Sequence, residues 1–503
     1  MKRRFSFLNN YWLITALVVI GFFAIYSSVT PDHLVNKNNG GDDGDYLSAI
    51  LTRGIPHPTG YPTFTLLGQI FLLIPVGTPY FRVALISGVS AALAAGLFFL
   101  WLVAVVLKNE KYAILGALCA TIGWGTAPLV WGQAIIVDVF ALQALFFMAV
   151  IWWITLIIGP PQTVRERVLI SFLSVMMGLS LGNHITIVLM APICLGALWY
   201  AWKRGMTVRF LGAQALFVAV GGLVYLYFPF SARNLPPVNW GNPQNWKGFL
   251  WLITGNPYQS LLFKTPILQV AQRFGALARL LLEQASIPGL FVGITGGVLA
   301  PLPKPPLRWL LWWMCAVYVI FSLGYNTIDS TSYLIPAWFA FCTWIGTGTV
   351  WLASLHWRTR PLGLGGVLLL TVILAARIPF ILPKIDVRQD MQATQFAEHY
   401  LAIAPPNAIL LANNDADIFP LWYYHFGLKQ RLDLRVIAVP LTQFSWYQET
   451  IRHNYPDLLL PPIQEDAENW EKEVVQLNPT RPVCSSKVIE GTANDVLIEC
   501  PVK

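Results

Sequence analysis

Long apolar segments separated by short basic connections dominate this 503-residue sequence. A bilayer core of about 30 Å takes roughly 20 apolar residues per helix, and about 17 are enough for a short span. Eleven segments qualify, at 11–30, 82–107, 112–129, 139–158, 168–182, 185–202, 210–230, 285–301, 309–324, 334–353 and 362–381. Because 56% of the residues are hydrophobic and 12% are charged, a soluble enzyme, a disordered chain and a disulfide scaffold are excluded. The sequence predicts an all-α polytopic membrane protein.

The basic residues predict the orientation of these spans. They first occur at Lys2, Arg3 and Arg4, and they recur after predicted spans two, four, six, eight and ten. The positive-inside rule places these connections in the cytoplasm. The amino terminus is then cytoplasmic and the tail lies on the outer side. We expect the membrane to be a bacterial inner membrane. The same distribution accounts for the net charge of +8, so no nucleic-acid partner is implied.

One apolar run disturbs this alternation if it is counted as a span. Residues 61–77 are nearly long enough to cross, but a span here would place Lys108 and Lys111 outside. We therefore interpret the run as an interfacial or re-entrant helix on the outer side.

The outer side is expected to carry two long loops and a separate tail. The loops, 31–81 and 231–284, belong to a transmembrane catalytic domain over residues 1–381. In the tail, 382–503, a helix-like stretch at 388–403 is followed by strand-like runs at 408–412 and 434–439, which predicts a small α/β domain. Cys484 and Cys500 lie in this oxidising compartment, where a disulfide and two free thiols are equally compatible with the sequence.

The first outer loop concentrates ionisable side chains. Asp42, Asp43 and Asp45 lie in GGDDGDY (40–46), and His57 begins HPTGYP (57–62) eleven residues later. Judged by spacing alone, the acidic run fits a solvated turn or a weak cation site as well as it fits an acid/base site. If the carboxylates face the imidazole at the membrane surface, they form an acid/base site beside a lipid-embedded substrate.

Further polar residues lie at the same membrane level. They are Gln133, Asp138, Asn183, His184, Arg233, Trp240 and Asp329. Ionisable groups at membrane depth are costly and are functional more often than decorative. Each one alone is equally compatible with a structural role near the interface. Their convergence on the outer face predicts a site there.

These residues closely resemble the first-loop signature of a family of GT-C type membrane glycosyltransferases, which includes the animal plexin O-mannosyltransferase. The family pattern is roughly G-G-D-S-G-E-L followed by H-P-P-G-Y-P. Asp42 takes the Asp position, Asp45 takes the Glu position, and the second motif matches with Thr59 in place of Pro. Later segments are similar in order and spacing, including W-x-Q before Asp138 and N-H-x-T at Asn183. The resemblance covers nearly the whole chain.

The resemblance implies a GT-C fold and an inverting transfer of a sugar, expected to be mannose, from a polyprenyl-phosphate donor at the outer face. One carboxylate must take the proton of the acceptor hydroxyl, and we expect this base to be Asp42, with Asp45 and Asp43 beside it. Cations or hydrogen-bond donors must hold the departing phosphate. We expect Arg233 first, then His57 and His184, with Asn183 and Tyr61 nearby and Arg53 as a weaker candidate. The expected supporting polar residues are Asp138, Gln133, Trp240 and Asp329.

The predicted acceptor is a Ser/Thr hydroxyl of an exported protein. A lipid-linked glycan or a cell-envelope polymer stays open, because loop shape and the tail decide the acceptor. A transporter or lipid-binding protein is less consistent with a chain that shows no internal repeat and no midplane charges. Three Asp could hold Mg²⁺ or Mn²⁺, but a metal would compete with Asp42 as base, so we expect neither a metal nor another cofactor.

Overall fold

The computed structural model describes residues 11–160, 162–300, 305–355, 362–488 and 496–500. Helices occupy all eleven predicted segments. The α-helices up to residue 385 are Trp12–Ser27, Asp43–Thr52, Pro62–Phe71, Pro79–Trp101, Ala113–Gly125, Pro128–Ala134, Phe140–Ile157, Val164–Leu181, Ala191–Lys203, Val208–Gly222, Tyr227–Ala232, Trp246–Ile253, Ile267–Leu299, Pro305–Gly324, Ile335–Ala353, Leu362–Ala376 and Ile378–Ile385. Several are extended by 3-10 turns, such as Ile185–Met190 before Ala191–Lys203.

The number of membrane spans is less sharply defined than their positions. Within the described ranges, seven helices are long and apolar enough to cross a membrane. An eighth is obtained if Ala113–Gly125 and Pro128–Ala134, which are bent by 64° to each other, form one broken span. The helix Trp12–Ser27 is apolar but shorter. The fold is therefore polytopic and helical, and the count of eleven stays a prediction.

The apolar run at 61–77 forms a short helix. The helix Pro62–Phe71 has ten residues, which at 1.5 Å per residue makes it about 15 Å long, half the thickness of a bilayer core. It begins two residues after Gly60, whose φ of +84° suits glycine, and Pro62 is its first residue. This length agrees with a helix that does not cross, and its interfacial location stays a prediction.

The second outer loop is more helical than the sequence predicted. The helix Trp246–Ile253 lies within it, and Ile267–Leu299 begins well before the predicted span at 285–301. The helix is interrupted at Ser286, whose φ is 57°, two residues before Pro288. The predicted span begins at this interruption, because only the second half of the helix is continuously apolar.

The tail is a small α/β domain, as predicted. Its helices are Gln392–Ile403, Asp415–Trp422, Ser445–Asn454 and Ala467–Leu477, and its strands are β1 (Ile409–Ala412), β2 (Arg435–Ala438), β3 (Val483–Val488) and β4 (Val496–Glu499). The sheet order is β2–β1–β3–β4, with β1 parallel to both neighbours and β4 antiparallel to β3. Strands β3 and β4 were not predicted, because a segment such as VCSSKV has no apolar run. Cys484 and Cys500 form a disulfide.

The tail packs directly on the first outer loop. The helix Asp415–Trp422, called the tail helix below, lies against Asp43–Thr52, called the loop helix. A Cβ atom at Gly44 would lie only 2.5 Å from the carbonyl oxygen of Phe419, so the two helices approach closely because residue 44 has no side chain. The carboxylate of Asp390 also accepts the backbone N–H groups of Asn36 and Lys37 at 2.8 and 2.7 Å. The predicted boundary at 381/382 stays a prediction.

Candidate active site

The three aspartates at the start of the loop helix, with Asp42 as its N-cap, point in different directions. Residues three apart share a helix face, whereas adjacent residues diverge by about 100°. Asp42 and Asp45 accordingly both face His57. Asp43 points away, is 2% exposed, and accepts the backbone N–H of Val35 at 2.9 Å. The three predicted catalytic carboxylates therefore do not converge on one point.

Asp45 is a fully buried carboxylate that orients His57. Its Oδ2 atom accepts the Nδ1–H and the backbone N–H of His57 at 2.7 and 2.8 Å, and its Oδ1 accepts the indole N–H of Trp240 at 3.1 Å. A carboxylate against Nδ1 requires the proton to be on that nitrogen. The second ring nitrogen, Nε2, is thereby directed elsewhere.

The Nε2 atom of His57 faces Asp42 and Tyr61. It lies 3.7 Å from Oδ2 of Asp42 and 3.2 Å from the hydroxyl of Tyr61. Burial lowers the pKa of His57, but the carboxylates of Asp42 and Asp45 more than offset it and raise this pKa to about 9. His57 is therefore an imidazolium at neutral pH.

Asp42 is the carboxylate of this pair that a substrate can reach. Its side chain is 47% exposed, whereas that of Asp45 is 0% exposed. The exposed part of Asp42, next to Nε2 of His57, is called the cleft below. Desolvation by the surrounding protein raises the pKa of Asp42 to about 6, with His57 opposing and Asp415, Asp329 and Asp45 adding to the rise. A pKa near the working pH suits a general base.

Three further predicted residues surround this cleft. The ring of His184 lies 5.9 Å from that of Tyr61, and its Nδ1 is hydrogen-bonded to Thr186 at 2.9 Å. Asp329 accepts the hydroxyl of Tyr333 at 3.3 Å, and Asp138 is buried, with Oδ1 accepting the N–H of Val139. Both carboxylates are within electrostatic reach of Asp42.

Two predicted residues hold the surrounding chain in place. Asn183 donates its amide N–H groups to the carbonyl of Val139 at 3.0 Å and to Oε1 of Gln143 at 2.8 Å. Gln133 donates to the carbonyl of Asn38 at 2.7 Å, just before the acidic run. Their contacts connect the turn at 183 and the first outer loop to neighbouring helices.

The structure does not bring the predicted arginines into this cluster. Arg233 is exposed, with its guanidinium 5.4 Å from the ring centre of Phe230, and Arg53 is also exposed. Across the described parts of the chain, no Arg or Lys side chain forms an ion pair with Asp42 or Asp45, whose ion-pair partner is His57. The cation within the cluster is His57, and phosphate binding by Arg233 stays a prediction.

Three further residues, Tyr258, Phe419 and Asp415, lie at the site although the sequence did not predict them there. The ring of Tyr258 lies 6.4 Å from that of His57, and Phe419 stacks on His57 at 6.3 Å with an angle of 18° between the rings. The charge of Asp415 acts on both Asp42 and His57. Asp415 and Phe419 belong to the tail, so local spacing could not connect them with His57. One feature of the sequence could have indicated Asp415: it follows shortly after a predicted strand, where ligands of open α/β sheets bind.

The described ranges contain no preformed cluster of metal ligands. No group of three or more His, Cys, Asp or Glu side chains there could hold a metal ion. The divergence of Asp43 from Asp42 and Asp45 is the geometric reason in the first loop. Independence from metal stays a prediction.

Comparison with known proteins supports the sequence resemblance. The family described as "Protein O-mannosyl-transferase TMEM260 N-terminal domain" matches residues 42–207, and "TMEM260-associated domain 2" matches residues 393–481. Together these matches cover slightly more than half of the chain. The chain is a protein O-mannosyltransferase-like protein. The first match begins at Asp42, and the second contains Asp415 and Phe419.

Two curated relatives of this O-mannosyltransferase-like chain carry the same name. It is 25% identical over 487 residues to protein O-mannosyl-transferase TMEM260 of Mus musculus, covering 88% of this chain and 65% of the mouse protein. It is 21% identical over 472 residues to the protein of that name from Dictyostelium discoideum, covering 82% and 56%. The chain thus spans about two thirds or less of the length of these relatives.

Solved structures show that the O-mannosyltransferase-like chain has a GT-C fold. ArnT from Cupriavidus metallidurans, bound to undecaprenyl phosphate, matches with a TM-score of 0.57 and 13% identity, covering 95% of this chain and 93% of ArnT. The oligosaccharyltransferase of Archaeoglobus fulgidus matches with a TM-score of 0.52 and 12% identity, covering 93% and 68%. This likeness, together with the apolar helices, makes the chain an integral membrane protein.

Proposed function

We propose that this protein is an inverting glycosyltransferase that moves mannose from a polyprenyl-phosphate donor to a Ser/Thr hydroxyl of an exported protein, at the outer face of a bacterial inner membrane. The observation that carries the proposal is the reachable Asp42 carboxylate beside the buried Asp45–His57 pair. The names of the relatives support the sugar and the protein acceptor. The ArnT structure with undecaprenyl phosphate supports a lipid-phosphate donor.

Asp42 acts as the general base in this mechanism. The acceptor oxygen attacks the anomeric carbon while its proton passes to a carboxylate oxygen of Asp42. The bond between the anomeric carbon and the phosphate oxygen breaks, and its electron pair leaves with the polyprenyl phosphate. Asp45 cannot take this role, because it is 0% exposed and already accepts three hydrogen bonds.

His57 supplies the positive charge of the site. Its imidazolium lies at the cleft, with Nε2 3.2 Å from the hydroxyl of Tyr61, which itself donates to the carbonyl of Pro58. A positive charge at this place stabilises the charge that develops on the departing phosphate. Asp45 keeps the ring protonated and fixed, so it acts on the phosphate through His57.

The proposal is tested with protein reconstituted in nanodiscs, polyprenyl-phosphate mannose as donor and a synthetic Ser/Thr-containing peptide as acceptor. Asp42→Asn removes the base, so we expect transfer to fall by roughly 10²–10⁴-fold. The matched control is Asp32→Asn, which removes a 70% exposed carboxylate from the same loop; it should retain wild-type transfer.

Three results would count against parts of this proposal. Transfer by Asp42→Asn within tenfold of the wild type would remove Asp42 from the base role. Loss of transfer with EDTA and recovery with Mg²⁺ or Mn²⁺ would contradict the metal-free mechanism. Sugar transferred to a purified lipid-linked glycan but not to the peptide would replace the protein acceptor with a glycan.

A further inference from the structure

The tail helix brings a second reachable carboxylate to the catalytic cleft. Phe419 stacks on the ring of His57, which fixes the face of the tail helix that lies toward the site. Asp415 precedes Phe419 by four residues, and side chains at i and i+4 share a helix face one turn apart, about 5.4 Å along the axis. Asp415 therefore lies on the same side of the helix as the residue that contacts His57.

The Asp415 carboxylate is unoccupied by protein partners. Asp415 is exposed, and it forms neither a hydrogen bond nor an ion pair with another residue in the described ranges. Asp417, two residues further on, shows the contrast: it is buried and accepts the hydroxyl of Ser486 at 2.7 Å and the N–H of Asn413 at 3.3 Å. Asp417 is thus tied into the tail, whereas Asp415 is free to bind a ligand.

The position of Asp415 in the tail sheet also points to a ligand. β1 lies between β2 and β3, both parallel to it, so the chain order reverses at β1. Ligands of open α/β sheets bind beyond the carboxyl ends of the strands at such a reversal. Asp415 follows the carboxyl end of β1 by three residues and opens the next helix.

The negative charge near Asp415 indicates which of the two substrates binds on this side of the cleft. The charge of Asp415 acts on Asp42, and the charges of Asp45 and Asp417 act on Asp415. Carboxylates repel a phosphate and accept hydrogen bonds from hydroxyl and amide N–H groups. The Asp415 side of the cleft therefore suits a neutral polypeptide acceptor, and the anionic donor is better placed on the side of His57, Tyr61 and His184.

We propose that Asp415 is an acceptor-binding residue supplied by the C-terminal domain, which accepts a hydrogen bond from the hydroxyl-bearing polypeptide segment while Asp42 faces the reacting hydroxyl. This inference rests on the proposed function. It assigns the C-terminal domain a direct part in holding the acceptor.

The kinetic test uses the full-length protein in nanodiscs with the Ser/Thr peptide and polyprenyl-phosphate mannose. Asp415→Ala should raise the KM for the peptide about tenfold, the effect of losing one hydrogen bond to a charged group. The KM for the donor should not change, and kcat should stay within about twofold. Glu468→Gln is the matched control, because it removes a carboxylate that is 82% exposed in the same domain.

A second measurement detects the position of Asp415 without catalysis. The carboxylates of Asp42, Asp45 and Asp415 all raise the pKa of His57, so removing one of them lowers it. Protein labelled with ¹³C at the histidine rings is titrated by NMR, and the signal of His57 is identified by its loss in His57→Gln. Asp415→Asn should move this titration to lower pH, and Glu468→Gln should leave it in place.

The outcomes separate this inference from the proposed function. An unchanged peptide KM in Asp415→Ala, together with an inactive Asp42→Asn, overturns the inference and leaves the function standing. An unchanged His57 titration in Asp415→Asn shows that Asp415 does not face the site and also overturns it. A wild-type protein that transfers no sugar to the peptide overturns both. Thermal unfolding within about 2 °C of the wild type shows that the Asp415 variants are folded.

Discussion

Asp45→Asn is expected to lower the pKa of His57 and to destabilise the folded protein. Asp45 is 0% exposed and accepts hydrogen bonds from the Nδ1–H and backbone N–H of His57 and from the indole of Trp240. An asparagine amide has one acceptor oxygen and one NH₂ donor group, so at least one of these donors meets another donor. The variant therefore loses hydrogen bonds as well as the carboxylate charge.

Two routes lead to a similar magnitude for this change. Removing one partner of a buried charge pair costs roughly 3–5 kcal/mol. A fall in the pKa of His57 from about 9 to its ordinary 6.5 corresponds to about 3–4 kcal/mol at about 1.4 kcal/mol per unit. Since Asp42 supplies part of that rise, we expect the free energy of unfolding to fall by about 3 kcal/mol and His57 to become neutral near pH 7.

The assay combines unfolding with the ¹³C-histidine titration in nanodiscs. The matched variant is Asp43→Asn, which alters the buried carboxylate two residues away that binds the N–H of Val35. Burial raises the pKa of Asp43, so asparagine resembles its protonated form, and we expect a smaller loss of stability and an unchanged His57 titration. A His57 pKa in Asp45→Asn within half a unit of the wild type would refute the view that Asp45 keeps the imidazole charged.

Three further predictions concern pH, packing and the disulfide. The plot of kcat/KM against pH should be bell-shaped, rising as Asp42 loses its proton near pH 6 and falling as His57 loses its proton near pH 9; constant activity from pH 5 to 7 would contradict Asp42 as base. Gly44→Ala should lower the unfolding free energy by about 1–3 kcal/mol, because its Cβ meets the Phe419 carbonyl, while Gly41→Ala, with no atom within 4 Å, should unfold like the wild type. Reducing the Cys484–Cys500 bond, which spans 16 residues, should destabilise the tail by about 3 kcal/mol and speed its proteolysis, and a reductant should not affect a Cys484→Ser/Cys500→Ser protein.

The sequence by itself determined the features that depend on local periodicity and spacing. Apolar runs located helices in all eleven segments, and the change in composition after residue 381 located the α/β tail, since both signals are contained in short stretches of chain. The motifs and the family resemblance also selected Asp42, Asp43, Asp45 and His57, and the structure brings all of these except Asp43 together. The polar strand β3 was not predicted in this way, because it is formed by pairing with β1, whose residues lie about 70 positions earlier in the sequence.

Only the tertiary structure decided how the carboxylates differ. Asp43 and Asp45 look equivalent in sequence, but Asp43 faces Val35 and Asp45 faces His57 and Trp240, since helical geometry sends them to different neighbours. The same holds for the tail, whose Phe419 reaches His57 across more than 350 residues. Burial, ion pairing and pKa depend on what surrounds a side chain in space. Contacts at such separations leave no periodic signal in a single sequence, so they become visible only once the chain is folded.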